Sequence, residues 1–273
     1  FFKDKIIAKA KEEISKQLNA KVDFSDIELS LLKNIRNFPN IALGIDDLTI
    51  TGIAPFEGDT LLNIGSANAS LDLMSVIKGE QYKIEAISLE DASLNAIINK
   101  EGIANWNILK PSTDTATSKP FALALNKLAL DNINLYYDDL KGGTSLKIVN
   151  LNHKGKGDFA SEILDYTSST AIEKLSFSQG LITYLKEATL NLESSVNIDQ
   201  TQHKYTFKEN KLILNRLGLL LNGFIQIPDS TKAVMDISFN ADKTDFKSLL
   251  SLIPAVYYKD FKDIVASGSL KLD

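Results

Sequence analysis

Two histidines, His153 and His203, and no cysteine make up the whole supply of imidazole and thiol in these 273 residues. A catalytic thiol, a disulfide framework, a zinc ribbon and iron–sulfur ligation are therefore excluded. A His-rich metal site or a His-based dyad has little material to work with. The chain has neither a Gly-x-Ser-x-Gly elbow nor a phosphate-binding Walker loop. Gly155-Lys-Gly157-Asp-Phe-Ala160 matches a dinucleotide fingerprint in spacing, but no clear helix or βαβ unit follows, so it reads as a turn. The acidic pairs Asp46-Asp47 and Asp138-Asp139 could hold calcium or act as acid and base. Neighbours in a strand point to opposite faces, however, so neither pair converges on one atom, and both read as turns. Carboxylates brought together from distant strands, as in glycosidases, stay open. Asn68-Ala-Ser70 is a formal glycosylation signal, which means nothing if the source is bacterial. The expectation is a protein that is not an enzyme and uses no cofactor or metal.

The elements read mainly as strands. Ile7, Ala10, Ile14 and Leu18 recur at helical spacing, so residues 1–20 form a first unit with an amphipathic helix over 3–18. From Ala20 the period changes to two: Val22 and Phe24; Ile27, Leu29 and Leu31; Ile41, Leu43 and Ile45; then Leu48 and Ile50 after a one-residue shift that marks a β-bulge at Asp46-Asp47. Residues 21–109 form a first sheet segment, with one helical turn possible over 74–78. Residues 110–120, small, polar and bounded by prolines, form a loop or linker. Residues 121–273 form a second sheet segment continuous with the first. It contains an irregular region over 155–170 and short helices near 245–264, broken at Pro254, with Thr244 or Asp245 as the cap. Strand character resumes over 265–272.

One pattern recurs. Ile87-Ser-Leu89-Glu90-Asp91-Ala92-Ser93-Leu94 is echoed by Leu128-Ala-Leu130-Asp131-Asn132-Ile133-Asn134-Leu135. Further echoes are Leu175-Ser-Phe177-Ser178-Gln179-Gly180-Leu181-Ile182 and Leu212-Ile-Leu214-Asn215-Arg216-Leu217-Gly218-Leu219. Each reads as a strand, a bend or tight turn, and another strand, the signature of a sheet grown by similar strand pairs.

Composition agrees with a folded domain. Hydrophobic residues are 44% and charged residues 24%, which excludes global disorder. Lys+Arg is 30 against Asp+Glu 35, a net charge of −5, which argues against a nucleic-acid partner. No apolar run reaches the ~18 residues of a membrane helix. The chain opens on Phe1-Phe2-Lys3 without Met and stops in mid-pattern at Asp273, so it reads as a piece of something longer.

Gly102-Ile103-Ala104-Asn105-Trp106 gives a turn and an aromatic anchor, and there a resemblance becomes visible. A strand pair ending in Gly-x-x-Asn-Trp resembles the AsmA family of bacterial envelope proteins. The flanking order fits as well: Phe38-Pro39-Asn40-Ile41; Leu73-Met74-Ser75-Val76-Ile77-Lys78-Gly79; Ile84 to Leu89; Leu214-Asn215-Arg216-Leu217-Gly218-Leu219 with Asn222-Gly223; and Asp245-Phe246 to Pro254. The resemblance implies an elongated, curled antiparallel sheet forming a gutter with an apolar inner face, an N-terminal amphipathic helix and short C-terminal helices. It also implies an inner-membrane anchor through a preceding helix absent from this chain, and a periplasmic location. The partners it implies are a phospholipid or other acyl lipid, and envelope proteins. The function it implies is lipid transfer or binding in support of outer-membrane biogenesis. The groove-lining candidates are Ile87, Leu89, Leu94, Leu128, Leu130, Leu135, Leu175, Phe177, Leu212 and Leu214; Gly102, Asn105 and Trp106 are the structural motif. Two alternatives stay open: a closed core under these residues, which would suit an envelope scaffold, and a hydrolase on a β-scaffold.

Overall fold

The computed structural model describes residues 8, 11, 12, 14, 16–32, 40–72, 83–110, 122–228, 233–245 and 269–272. Its strands are β1 (Ala20–Asp23), β2 (Asp26–Leu32), β3 (Asn40–Gly52), β4 (Thr60–Asp72), β5 (Lys83–Ile98), β6 (Ala122–Asp139), β7 (Thr144–Lys156), β8 (Ile163–Gln179), β9 (Ile182–Asp199), β10 (Lys204–Leu214), β11 (Leu217–Gln226), β12 (Val234–Asp245) and β13 (Ser269–Leu272). They make one open, curled sheet in which twelve strands follow one another from β1 through β3 to β13. β2 lies beside β1 on the same edge of β3, the two sharing that long strand end to end. Every junction is antiparallel except β5–β6, which is parallel over a register from Lys83↔Ala122 to Ile98↔Asp139. The sheet thus continues from β5 into β6 across that seam.

Strands this long stay regular only where the backbone lets them. A line of left-handed residues crosses the sheet: Asp47 (φ 53°), Asp91 (φ 53°), Asn132 (φ 52°) and Asn150 (φ 52°). Asp and Asn tolerate this region better than other non-glycine residues because their short side chains bond locally. Asn132 Nδ2 donates to Asp91 Oδ1 at 2.6 Å, and Asn150 Nδ2 donates to Glu173 Oε2 at 2.9 Å. The backbone N–H of Asn132 is taken by Asn152 Oδ1 (3.1 Å) and that of Asn150 by Asn134 Oδ1 (3.1 Å), so each kink is closed by the amide of a neighbouring strand. Opposite both Asp47 and Asp91 stands Gly65, where a Cβ would lie 3.1 Å from that of Asp91.

The repeated pattern resolves into two different structures. Its first two copies sit inside single strands, β5 and β6, with the polar residues at the kinks of Asp91 and Asn132. Its last two copies are hairpins, β8–β9 over Gly180 (φ 58°) and β10–β11 over Asn215 (φ 54°). The shift at Asp46-Asp47 is likewise a kink inside β3, not a turn. It leaves the register with β4 unchanged, from Asp46↔Ser66 to Leu48↔Ile64, because Gly65 absorbs it. Asp139 does belong to a turn, its Oδ1 accepting from the N–H of Lys141 (3.0 Å) and Gly142 (2.7 Å).

Two expectations are corrected. Residues 163–170 are strand, because Leu164, Tyr166, Ser168 and Thr170 alternate inward opposite β9. Gly155 is a strand residue, and the turn of the glycine-rich stretch follows it over 157–162. Thr244 and Asp245 pair with Leu270 and Ser269 at the end of β12, and the helix they are expected to cap lies outside the described residues. The expected helices beyond Asp245, the turn over 74–78, the first residues of the N-terminal helix and nearly all of 110–120 lie outside the described residues. Ala8, Lys11, Glu12, Ile14, Lys16 and Gln17 are helical.

Candidate functional site: an apolar sheet face with a polar island

Direct cross-strand partners lie on the same face of a sheet, so the register defines rows that run across it. One row is apolar over nine strands: Leu48, Ile64, Ala92, Ile133, Leu151, Ile172, Leu190, Leu214 and Leu217. A second joins Val22, Ile50, Leu62, Leu94, Leu135, Ile148, Leu175 and Ala188. A third begins Ile45, Ala67, Leu89, Leu130, passes through His153 and Thr170, and returns to Leu192, Leu212 and Leu219. A fourth begins Leu43, Ala69, Ile87, Leu128 and ends Gly155, Ser168 and Ser194. In β9 the four rows fall at Ala188, Leu190, Leu192 and Ser194, two residues apart, so all belong to one face. The residues between them, Thr189, Asn191, Glu193 and Ser195, are exposed.

The ten lining candidates all sit in such rows. Leu214 is in the first; Leu94, Leu135 and Leu175 are in the second; Leu89, Leu130 and Leu212 are in the third; Ile87 and Leu128 are in the fourth. Phe177 pairs with Leu146 and Leu185 beyond the second row. Every one is half-buried. The fully buried apolar residues among those described are few and scattered, such as Phe24, Leu61, Ile64, Ala92, Leu125, Leu164, Ile172 and Leu217. Towards β12 the apolar side chains become more exposed, with Met235 at 64% and Phe239 at 48%.

Residues that the periodicity passed over interrupt this face at one place. His153 Nδ1 lies 2.8 Å from Thr170 Oγ1, and its Nε2 lies 2.7 Å from Tyr166 Oη. The Tyr166 ring lies over Gly155, where a Cβ would stand 1.7 Å from its hydroxyl oxygen. Phe159 meets that ring edge-on, with centroids 5.4 Å apart. Only glycine leaves room for the ring, which explains Gly155 better than any phosphate loop does. Burial holds the His153 imidazole below its ordinary pKa and pushes the Tyr166 phenol above its own, so both are held neutral. The sequence signal was available in part: His153 and Thr170 stand where the row demands apolar residues.

The Gly-x-x-Asn-Trp corner is also more specific than a turn and an anchor. Gly102 has φ 89°, as a tight turn requires. Asn105 is only 4% exposed; its Oδ1 accepts from the N–H of Ile97 (2.9 Å) and its Nδ2 donates to the carbonyl of Asn95 (2.7 Å). Its side chain thus replaces a strand partner at the end of β5. Trp106, 40% exposed, lies 6.1 Å from Tyr137 between centroids and ties the corner to β6.

On the opposite face lies a concavity of about 680 Å³, bordered by Lys127, Lys154, Lys156, Lys211, Glu193 and Glu209 over a floor of Ala129, Thr167, Ser169 and Ser195. Of the ten lining candidates it touches only Leu128. No group of three or more metal-ligating side chains occurs among the described residues. Nor is any helix among them long and apolar enough to cross a membrane.

The AsmA family model matches residues 1–222, and the chain belongs to that family. Membership points to an envelope-associated role. No curated protein and no solved structure matches the chain.

Proposed function

We propose that this chain is the lipid-shielding part of an envelope lipid-transfer or lipid-binding protein, with the apolar face as its groove. The observation that carries the reading is the apolar row from Leu48 to Leu217, unbroken over nine strands and flanked by half-buried leucines and isoleucines. Burying a methylene is worth ~0.8 kcal/mol, so an acyl chain of ~16 carbons left in water costs on the order of 12 kcal/mol. A sheet with one apolar and one wet face shields such tails and leaves the charged head outside. The eight steps between those nine strands span roughly 38 Å at ~4.8 Å each. No bond need be made or broken for a chain to move along equivalent contacts, so the role is non-catalytic. In the whole protein the chain works in the periplasm, held to the inner membrane by a preceding helix, and serves outer-membrane biogenesis or lipid homeostasis with envelope partners.

The test is lipid extraction and mass spectrometry on the gently purified protein, beside a size-matched soluble control. Wild type is expected to carry phospholipid near one per chain. The triple variant Leu89→Lys, Leu94→Lys, Leu130→Lys is expected to retain its β-sheet circular dichroism and lose at least tenfold of that lipid. Equal lipid in a folded triple variant would overturn the assignment, and none above control in wild type would favour a scaffold.

A further inference from the structure

The island at His153 carries a surplus hydrogen-bond donor. A neutral imidazole brings one N–H, and Tyr166 and Thr170 bring one O–H each: three protons for two hydrogen bonds, at 2.7 and 2.8 Å. If Tyr166 donates to Nε2, then Nδ1–H donates to Thr170, whose own hydroxyl proton is left over. In the other tautomer Thr170 donates to Nδ1, Nε2–H donates to Tyr166, and the phenolic proton is left over. Either way one hydroxyl proton has no acceptor among the described residues. Both hydroxyls are half-buried and lie on the apolar face. While the face is wet, water satisfies that proton. An acyl chain laid over it would strip the water and strand the donor, which is costly. A neutral acceptor at that point removes the cost, whereas a charged one would meet no cation among the described residues of this part of the face. Ser168 and Ser194, paired across β8–β9, enlarge the same polar patch. The all-apolar rows run beside it, with Leu151 and Ile172 one step away along β7 and β8.

We infer that the chain formed by Tyr166, His153 and Thr170 is a docking point for the ester carbonyl of an acyl lipid whose tails lie on the neighbouring apolar rows. Gly155 and Phe159 fix the Tyr166 ring, so the donor is held in place before the lipid arrives. This rests on the proposed function and names the part of the ligand that one patch of the groove receives.

The test is competition against a fluorescent phospholipid by two unlabelled lipids, dioleoylphosphatidylcholine and its ether-linked analogue, which has the same head and chains but no carbonyls. Wild type is expected to bind the ester about fivefold more tightly, the worth of one neutral hydrogen bond. In the near-isosteric variant His153→Leu, Tyr166→Phe, Thr170→Val that ratio is expected to fall to about one, because ether binding tightens once no donor is left stranded. Equal affinity for the two lipids in wild type overturns the inference and leaves the proposed function standing; so does a preference that survives in the variant. Binding of neither lipid overturns the proposed function and this inference with it.

Discussion

The same two rows look unlike on either side of the boundary between β6 and β7. In β3 to β6 they run Ile45, Ala67, Leu89, Leu130 and Leu43, Ala69, Ile87, Leu128; in β7 and β8 they become His153, Thr170 and Gly155, Ser168. The first stretch is held by apolar area, which is non-directional and tolerates exchange of one leucine for another. The second is held by two short hydrogen bonds and a ring seated on a glycine, which are directional and tolerate little. One face therefore combines a slippery part with a fixed one.

The strongest way to break that contrast is Gly155→Ala. Its Cβ would meet Tyr166 Oη at 1.7 Å and Cζ at 2.4 Å, so the ring must leave and both the His153 bond and the Phe159 contact go with it. The expected cost is about 2–4 kcal/mol in urea unfolding. Gly218→Ala is the matched control, since nothing stands within 4 Å of its Cβ position; it is expected to be neutral or to stabilise by up to about 0.5 kcal/mol. Equal costs at the two sites would mean that the island is no more tightly fitted than the rest of the sheet.

Next in size is the kink line. Asn132→Val places a β-branched residue at φ 52° and removes the bond to Asp91, for an expected loss of about 1–2 kcal/mol. Asn132→Gly loses the same side-chain bond but keeps the backbone conformation easy, and is expected to cost less than half as much. Equal costs for the two would show that the Asp91 contact, not the backbone, sustains the kink.

The smallest effect is on pH. His153 has its folded pKa below the ordinary 6.5, because burial disfavours the charged ring. The unfolded chain therefore takes up this proton first as pH falls. The stabilisation is full above about 6.5 and declines as pH drops through the window beneath it. Tyr166 has its pKa raised above 10.0 by burial, so its contribution is full below about 10 and declines as pH rises beyond it. In His153→Leu the decline of the urea midpoint below 6.5 should shrink; an unchanged profile would remove His153 from the account.

Much of this was legible in the sequence, for a physical reason. Alternation with period two is imposed residue by residue, so Ile41, Leu43 and Ile45, or Leu212 and Leu214, announce their face without knowledge of their partners. The family's corner announced itself in Gly102, Asn105 and Trp106. What Asn105 does was hidden, because a side chain that imitates a strand partner is defined only by where β5 ends. The island was hidden for the same reason. His153 and Tyr166 are 13 residues apart, and only the β7–β8 register brings one against the other. The four echoes were legible as a pattern and misleading as a structure, since Asp91 and Asn132 bend a strand with the same residue types that elsewhere reverse the chain.

The parallel seam has a kinetic consequence. Around the hairpins β6–β7, β8–β9 and β10–β11, partners are close in sequence, whereas across β5–β6 they stand 41 residues apart, as between Glu90 and Asp131 (131 − 90 = 41). Loop closure must precede the contacts that reward it, so low contact order favours the hairpin arrays first. The seam forms late; once made, its register of 14 residue pairs makes it hard to reopen. Pulse-labelled hydrogen exchange during refolding should protect the amides of β8–β9 before those that bridge β5 and β6; the opposite order would place the seam in the folding nucleus.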